Sequence, residues 1–153
     1  MDYKIVPFDF EICEQASILH ASVFERPWSK KEFEVLITAS PGVFGFKATS
    51  LEEHLYGFIL LQYIIDDAEI LTLGVLESHR RQGIGTALIK TAIKQIFIKG
   101  AKRLLLEVNE YNKEALLLYK NLNFKAYGRR KNYYLLNDKS QADALLLEIK
   151  LNN

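Results

Sequence analysis

An arginine pair followed by closely spaced glycines, Arg80-Arg81-Gln82-Gly83-Ile84-Gly85-Thr86-Ala87, is the stretch best suited to holding an anion. A run that reads as a strand, Ala68 to Leu76, precedes it, and a run that reads as a helix, Thr86 to Lys99, follows. Gly83 and Gly85 let the backbone approach a ligand with no Cβ in the way. The first turn of a helix presents unpaired N–H groups and the positive end of the helix dipole. Together these make a site for a group such as pyrophosphate, and guanidinium groups suit its oxygens. The plainer alternative is an ordinary Gly-rich turn with exposed arginines.

Spacing narrows the ligand. A P-loop requires Gly-Lys-Ser/Thr where this chain has Gly85-Thr86-Ala87, and the dinucleotide fingerprint requires a third glycine where Leu88 stands. What fits is Arg/Gln-x-x-Gly-x-Gly/Ala, with Arg80, Gly83 and Gly85 in the fixed places. Cys13, His20, His54 and His79 show no metal-ligand spacing, so no metal is expected. Cys13 falls in the first helical run with no histidine placed nearby in sequence, and it reads as an inert core thiol.

The chain that must position this loop has 153 residues, enough for one domain over 1–153 with a real core. Hydrophobic residues at 49% and charged residues at 25% are ordinary for a globular protein. A net charge of +1 sets up no overall field toward nucleic acid or membrane, and neither partner is expected. Acids spread through Met1 to Glu14 argue against a signal peptide. The longest apolar stretch, Leu55 to Ile65, is broken by Gly57 and Gln62 and is too short to span a bilayer. The single cysteine suits a reducing, cytoplasmic compartment.

Periodicity supplies the elements. Ile12, Ala16, Leu19 and Val23 predict a helix over 10–23. Ser29-Lys30-Lys31-Glu32 is a capping box for a second, with Phe33, Leu36 and Ile37 on its apolar face, and Pro41-Gly42 stops it. Val43 to Thr49, Tyr56 to Ile64 and Ala68 to Leu76 read as strands, the last two joined by a short turn at Asp66-Asp67. Leu88, Ile89, Ala92, Ile93 and Ile96 stripe the helix after the glycine loop, and Gly100 ends it. Arg103 to Val108 is a strand. Asn112 caps a fourth helix ending near Asn123, and Phe124 to Tyr134 and Ala142 to Leu151 are final strands. With an edge strand at Tyr3 to Pro7 the order is βααβββαβαββ. The hairpin implies antiparallel pairing early, and the strand–helix–strand units imply parallel pairing later.

Several motifs now combine. Leu104-Leu105-Leu106-Glu107-Val108 is followed by Asn112, by Leu118-Tyr119-Lys120-Asn121-Leu122-Asn123-Phe124, and by Arg129-Arg130-Lys131-Asn132-Tyr133-Tyr134. With the glycine loop, Pro27-Trp28-Ser29, Phe33 and Asp143-Ala144, this resembles the GNAT superfamily of N-acetyltransferases, and within it the RimI type, the ribosomal-protein-alanine N-acetyltransferases. The chain departs from that pattern at Asn123 in place of glycine, at the inserted Lys131, and at Leu135 in place of proline.

The resemblance implies an α/β (α+β) acetyltransferase fold, a mixed central sheet of about seven strands with helices on both faces. It implies acetyl-CoA as cosubstrate and a protein N-terminus as acceptor, by the family's type the N-terminal alanine of a small-subunit ribosomal protein; oligomeric state is left open. An α-amino group is neutral to about 10–15% at pH 7 and a lysine to only about 0.04%, so a modest base suffices for an N-terminus. By resemblance Glu107 is that base, with burial raising its carboxyl; by itself it reads as a surface carboxylate, exposed or paired with Lys102 or Arg103. Tyr119 matches the general acid for the leaving thiolate, or is a core aromatic with its hydroxyl bonded to backbone. Leu73, Gly74 and Val75 match the strand segment that pairs with pantetheine; Arg80, Arg81, Gln82, Gly83, Ile84, Gly85 and Thr86 match the diphosphate loop; Asn112 matches a contact to the CoA arm or is a plain N-cap. Tyr133 and Tyr134 match the acceptor channel. A small-molecule N-acetyltransferase and a non-catalytic acyl-CoA-binding module are the alternatives on the same fold.

Overall fold

In the computed structural model of the protein, residues 2–151 are described. Strand β1 (Lys4–Pro7) leads through a 3-10 turn at Phe10–Ile12 into α1 (Cys13–Val23) and α2 (Lys30–Ala39). Strands β2 (Val43–Thr49), β3 (Leu55–Ile64) and β4 (Asp67–Val75) follow, then α3 (Ile84–Ile98), β5 (Arg103–Asn109), α4 (Lys113–Asn121), β6 (Lys125–Leu135) and β7 (Gln141–Lys150). The expected order βααβββαβαββ is the observed one.

Local chemistry explains the ends. Ser29 Oγ accepts from the Glu32 N–H at 3.1 Å while Glu32 Oε1 accepts from the Ser29 N–H at 3.3 Å, the reciprocal cap that starts α2. Asn112 Oδ1 accepts from the Ala115 N–H at 3.1 Å and starts α4. That helix stops at Asn123, whose φ of 71° places it in the left-handed region that asparagine tolerates.

The sheet has seven strands in the order β1-β2-β3-β4-β5-β7-β6. Its one parallel pair among the described residues is β4 with β5, from the crossover through α3. The expectation of parallel pairing throughout the second half is corrected here. Strand β7 inserts antiparallel between β5 and β6, so β5 and β6, joined through α4, are not neighbours.

Alternation along β3 divides the core. Phe58 and Leu60 face α1 and α2, packing with Cys13, Ala16, Leu19 and Phe33. Ile59 and Leu61 face α3 and α4, packing with Leu88, Ile89, Ala92, Ile96 and Tyr119. The helices therefore cover both faces, as expected. Helix α1 packs on β3 and β4 and α2 on β2, so among the described residues no helix packs closely on the face of β5, β7 and β6 on that side.

Candidate active site

The site begins where two strands part. β4 and β5 pair only at Asp67↔Arg103, Ala68↔Leu104 and Glu69↔Leu105. Beyond Glu69 the ladder between them stops, while β4 stays paired with β3 up to Val75. Leu73, Gly74 and Val75 thus lie on a strand whose β5 side is open. The β3–β4 ladder also skips Leu71 between Leu60↔Thr72 and Leu61↔Ile70, a bulge that turns the strand as it leaves β5.

At the end of that open edge stands the loop from Arg80 to Thr86. Arg81 adopts φ 61° and Gly83, the N-cap of α3, adopts φ 83°. No side chain caps α3 and no acid occupies its first turn, so its leading N–H groups and positive end are left for an anion. The two glycines serve different ends. A Cβ on Gly83 would meet nothing within 4 Å, so that position needs glycine for its backbone angle. A Cβ on Gly85 would lie 3.3 Å from Leu118 Cδ2 and 3.9 Å from Val75 Cγ2, so glycine there lets α3, α4 and β4 converge.

The two arginines also differ. Arg80 is held inward: Nε donates to the Val75 carbonyl at 3.2 Å and Nη1 lies 3.6 Å from Glu114 Oε2. Arg81 and Gln82 are exposed at the loop's outer rim, and among the described residues Arg81 has no carboxylate partner. The exposed Asn112 spends its side-chain oxygen on the α4 cap, which leaves its amide nitrogen uncommitted.

Across the gap, Glu107 projects from β5 on the helix-free side, since Leu104, Leu106 and Val108 take the other face. Its side chain keeps 21% of its exposure, and Arg130 Nε donates to its Oε1 at 3.1 Å. Neither sequence-suggested partner is used: Arg103 pairs with Asp67 and Glu148, and Lys102 with Asp66. The carboxyl that burial raises is the neighbouring Glu69, with the Glu107 charge adding to the effect and Arg130 opposing it. Glu69 pairs in register with Leu105, two residues before Glu107, so both carboxylates share one face of the sheet. The available signal for Glu69 was a lone acid inside the apolar run Ala68 to Leu76.

Tyr119 rises from α4 on the opposite side. Its ring is 6% exposed, packed edge-on against Phe124 at 5.4 Å, and the Phe124 N–H closes the helix onto the Tyr119 carbonyl at 3.0 Å. Burial, then the Tyr134 phenol, push its hydroxyl well above the usual phenol value. Among the described residues nothing hydrogen-bonds that hydroxyl, and the one fully enclosed, unpartnered side-chain polar atom is Thr49 Oγ1. The backbone-bonded alternative for Tyr119 is therefore not realised. Tyr134, half-buried and pushed up to about 12 by burial and by Glu107, stands within electrostatic reach of both Glu107 and Tyr119. Tyr133, 51% exposed, packs edge-on against it at 5.1 Å and carries the Arg130 guanidinium 5.3 Å from its ring centre.

A second wall comes from the segment before α2. His20 is 3% exposed; its Nδ1 accepts from the Trp28 N–H at 3.0 Å and its Nε2 meets Thr72 Oγ1 at 3.1 Å, which fixes the proton on Nε2. The Trp28 ring stacks on His20 at 5.0 Å. Arg26 Nε donates to the Leu135 carbonyl at 3.2 Å, bringing this wall to the β6–β7 hairpin. The sequence around His20 carries no signal for this role beyond its lack of metal-ligand spacing. Cys13 is fully buried, and burial with Glu34 and Asp9 pushes its thiol up to about 11, which disfavours the reactive thiolate. No group of metal-ligating side chains occurs among the described residues.

A thioester on a long arm ending in a diphosphate is the ligand these parts suit together: anion at the helix start, arm along the open edge of β4, acyl group in the gap. The class so defined is an acyl-CoA-dependent transferase. The chain belongs to the acetyltransferase (GNAT) family, whose pattern matches residues 13–124. It is 30% identical over 125 residues to the ribosomal protein bS18-alanine N-acetyltransferase of Escherichia coli (strain K12), covering 82% of each chain. The crystal structure of the ribosomal-protein-S18-alanine N-acetyltransferase from Escherichia coli superposes with a TM-score of 0.87 at 26% identity, covering 97% of this chain and 94% of that one. Arabidopsis thaliana NAA60 in complex with acetyl-CoA shares the fold, with a TM-score of 0.85 at 22% identity over 99% of this chain and 100% of that one. The protein is an acetyl-CoA-dependent N-acetyltransferase of the RimI-like kind.

Proposed function

We propose that this chain, as one N-acetyltransferase domain in the cytoplasm, moves acetyl from acetyl-CoA to the N-terminal α-amine of a protein, the N-terminal alanine of a small-subunit ribosomal protein. The observation that carries the reading is the opening between β4 and β5, with the Arg81–Thr86 loop at one end and Glu107 and Tyr119 on its two sides. The N–H groups from Arg81 to Thr86 hold the diphosphate, Arg80 braces the loop, and Leu73 to Val75 offer backbone groups to the arm, a form of strand addition. The Asn112 amide is free to donate to the same arm.

Glu107 takes the proton as the amine attacks, and Glu69 beside it gives the pocket a second acid that favours a cationic acceptor. Tyr119 faces the leaving sulfur. A thiolate near pKa 8.5 is a weaker base than a phenolate at 10 or above, so full transfer is uphill by at least about 2 kcal/mol. Tyr119 therefore acts by hydrogen-bonding the departing sulfur and keeps its own proton until solvent intervenes. Tyr133, Tyr134 and Trp28 line the approach of the acceptor chain.

Mass spectrometry of short peptides incubated with the protein and acetyl-CoA tests this reading. A peptide starting with alanine gains one acetyl at its N-terminus, and the same peptide with a blocked N-terminus gains none. Acetylation of polyamines or aminoglycosides with no peptide product overturns it.

A further inference from the structure

The expected acceptor tyrosines sit at an irregularity in the sheet. β6 pairs with β7 at Arg130↔Ala144 and again at Tyr134↔Ala142. Between those pairs β6 carries Lys131, Asn132 and Tyr133, while β7 carries only Asp143. The surplus residues must bulge out of the ladder, and Asn132 turns the chain with φ 53°.

Asp143 is built into the mouth of that bulge. Its Oδ1 accepts from the Asn132 N–H at 2.9 Å and its Oδ2 from Arg129 Nη1 at 2.7 Å. These two donors, the amide first, hold its carboxyl below the usual range. Its backbone is fixed to the end of β5: the Glu110 N–H donates to its carbonyl at 3.0 Å, and its own N–H donates to Glu110 Oε2. Glu110 Oε2 also lies 3.6 Å from Arg129 Nη1. One residue thus joins the bulge, through its side chain, to the end of the strand that bears Glu107, through its backbone. Arg130, on the near side of the bulge, reaches Glu107 and lies over Tyr133.

We infer that Asp143 is a positioning residue for the acceptor: by closing the Lys131–Tyr133 bulge onto the end of β5, it sets where Tyr133, Tyr134 and Arg130 stand relative to Glu107. It touches no reacting atom, and among the described residues no hydrogen bond or ion pair ties it to the glycine loop or the open edge of β4. Loss of Asp143 therefore disturbs acceptor binding and leaves the acetyl-CoA side intact. The inference rests on the proposed peptide acceptor.

The test is steady-state kinetics of wild type, Asp143→Ala and Asp143→Asn on an alanine-starting peptide, with acetyl-CoA affinity by calorimetry and melting temperature measured alongside. Asp143→Ala raises the peptide KM by roughly tenfold or more, as misplaced contacts do, while kcat and acetyl-CoA affinity stay within about threefold. Asp143→Asn keeps an oxygen for the Asn132 N–H and loses the charge facing Arg129, so its KM lies between the two. A lowered melting temperature with unchanged KM overturns the positioning role, as does an equal loss of acetyl-CoA affinity. Should Asp143→Ala fail to fold, Asp143→Asn decides, and an unchanged KM there is equally fatal. A wild type that acetylates no peptide refutes the proposed acceptor, and this inference with it; an active wild type confines any failure to Asp143.

Discussion

The imidazole of His20 is held neutral by its surroundings, and this makes the wall it forms with Trp28 sensitive to acid. Burial lowers its pKa from 6.5 to about 4, against a smaller opposing effect of Glu32. The difference corresponds to at most about 3 kcal/mol of folding free energy. Because the folded value is the lower one, the unfolded chain binds the proton first. The contribution is complete above pH 6.5, declines as pH falls toward 4, and levels off below. Between pH 7 and 5 the loss from this group is about 2 kcal/mol. For a chain of 153 residues that is a fall of about 4–8 °C in Tm. Glutamine at this position can donate and accept but does not titrate, so His20→Gln isolates the ring's proton. Urea midpoints at pH 5, 6 and 7 for both proteins measure the effect. The variant starts less stable at pH 7, having lost the stacking on Phe24 and Trp28 at 4.2 and 5.0 Å. Its stability then declines less steeply than wild type by about 2 kcal/mol over the interval. Parallel pH profiles would refute the reasoning.

Glu107→Gln lowers kcat/KM by about 10²–10⁴, the range of a lost general base, with acetyl-CoA affinity unchanged; calorimetry and steady-state rates separate the two. Tyr119→Phe reduces kcat by about 10²-fold through loss of one hydrogen bond to the departing sulfur, and single-turnover kinetics at saturating substrates register it. Gly83→Ala forces a side chain into φ 83°, a strain of about 1–2 kcal/mol that weakens coenzyme A binding about fivefold or more. Unchanged affinity in that variant would mean the loop does not need its backbone angle for the anion.

The elements that local chemistry dictates were legible in the sequence. The capping box at Ser29, the N-cap at Asn112, the apolar stripe of α3 and the stop at Asn123 each follow from short-range hydrogen bonding or from helical period. The glycine loop was legible because its backbone demands are written in residue type. What could not be read were relations between distant segments. Nothing local says that β7 slips between β5 and β6, since strand order is settled by which apolar faces are left to cover. The approach of Gly85 to Leu118 depends on how α3 and α4 meet, and the inward turn of Arg80 depends on Glu114 and the end of β4. Glu69 and Arg130 acquire meaning only once the register of β4, β5 and β6 sets them around Glu107. The setting of His20 is not legible locally because its partners, Trp28 and Thr72, lie 8 and 52 residues away in sequence.

The claim beneath the whole account is that the backbone from Arg81 to Thr86 grips a diphosphate. Calorimetric titration of acetyl-CoA against S-acetylpantetheine, which has the same thioester arm and no diphosphate, tests it most directly. Acetyl-CoA binds far more tightly, and Gly83→Val weakens acetyl-CoA while leaving S-acetylpantetheine unaffected. Equal affinity for the two ligands, or a Gly83→Val variant that binds acetyl-CoA like wild type, would contradict it.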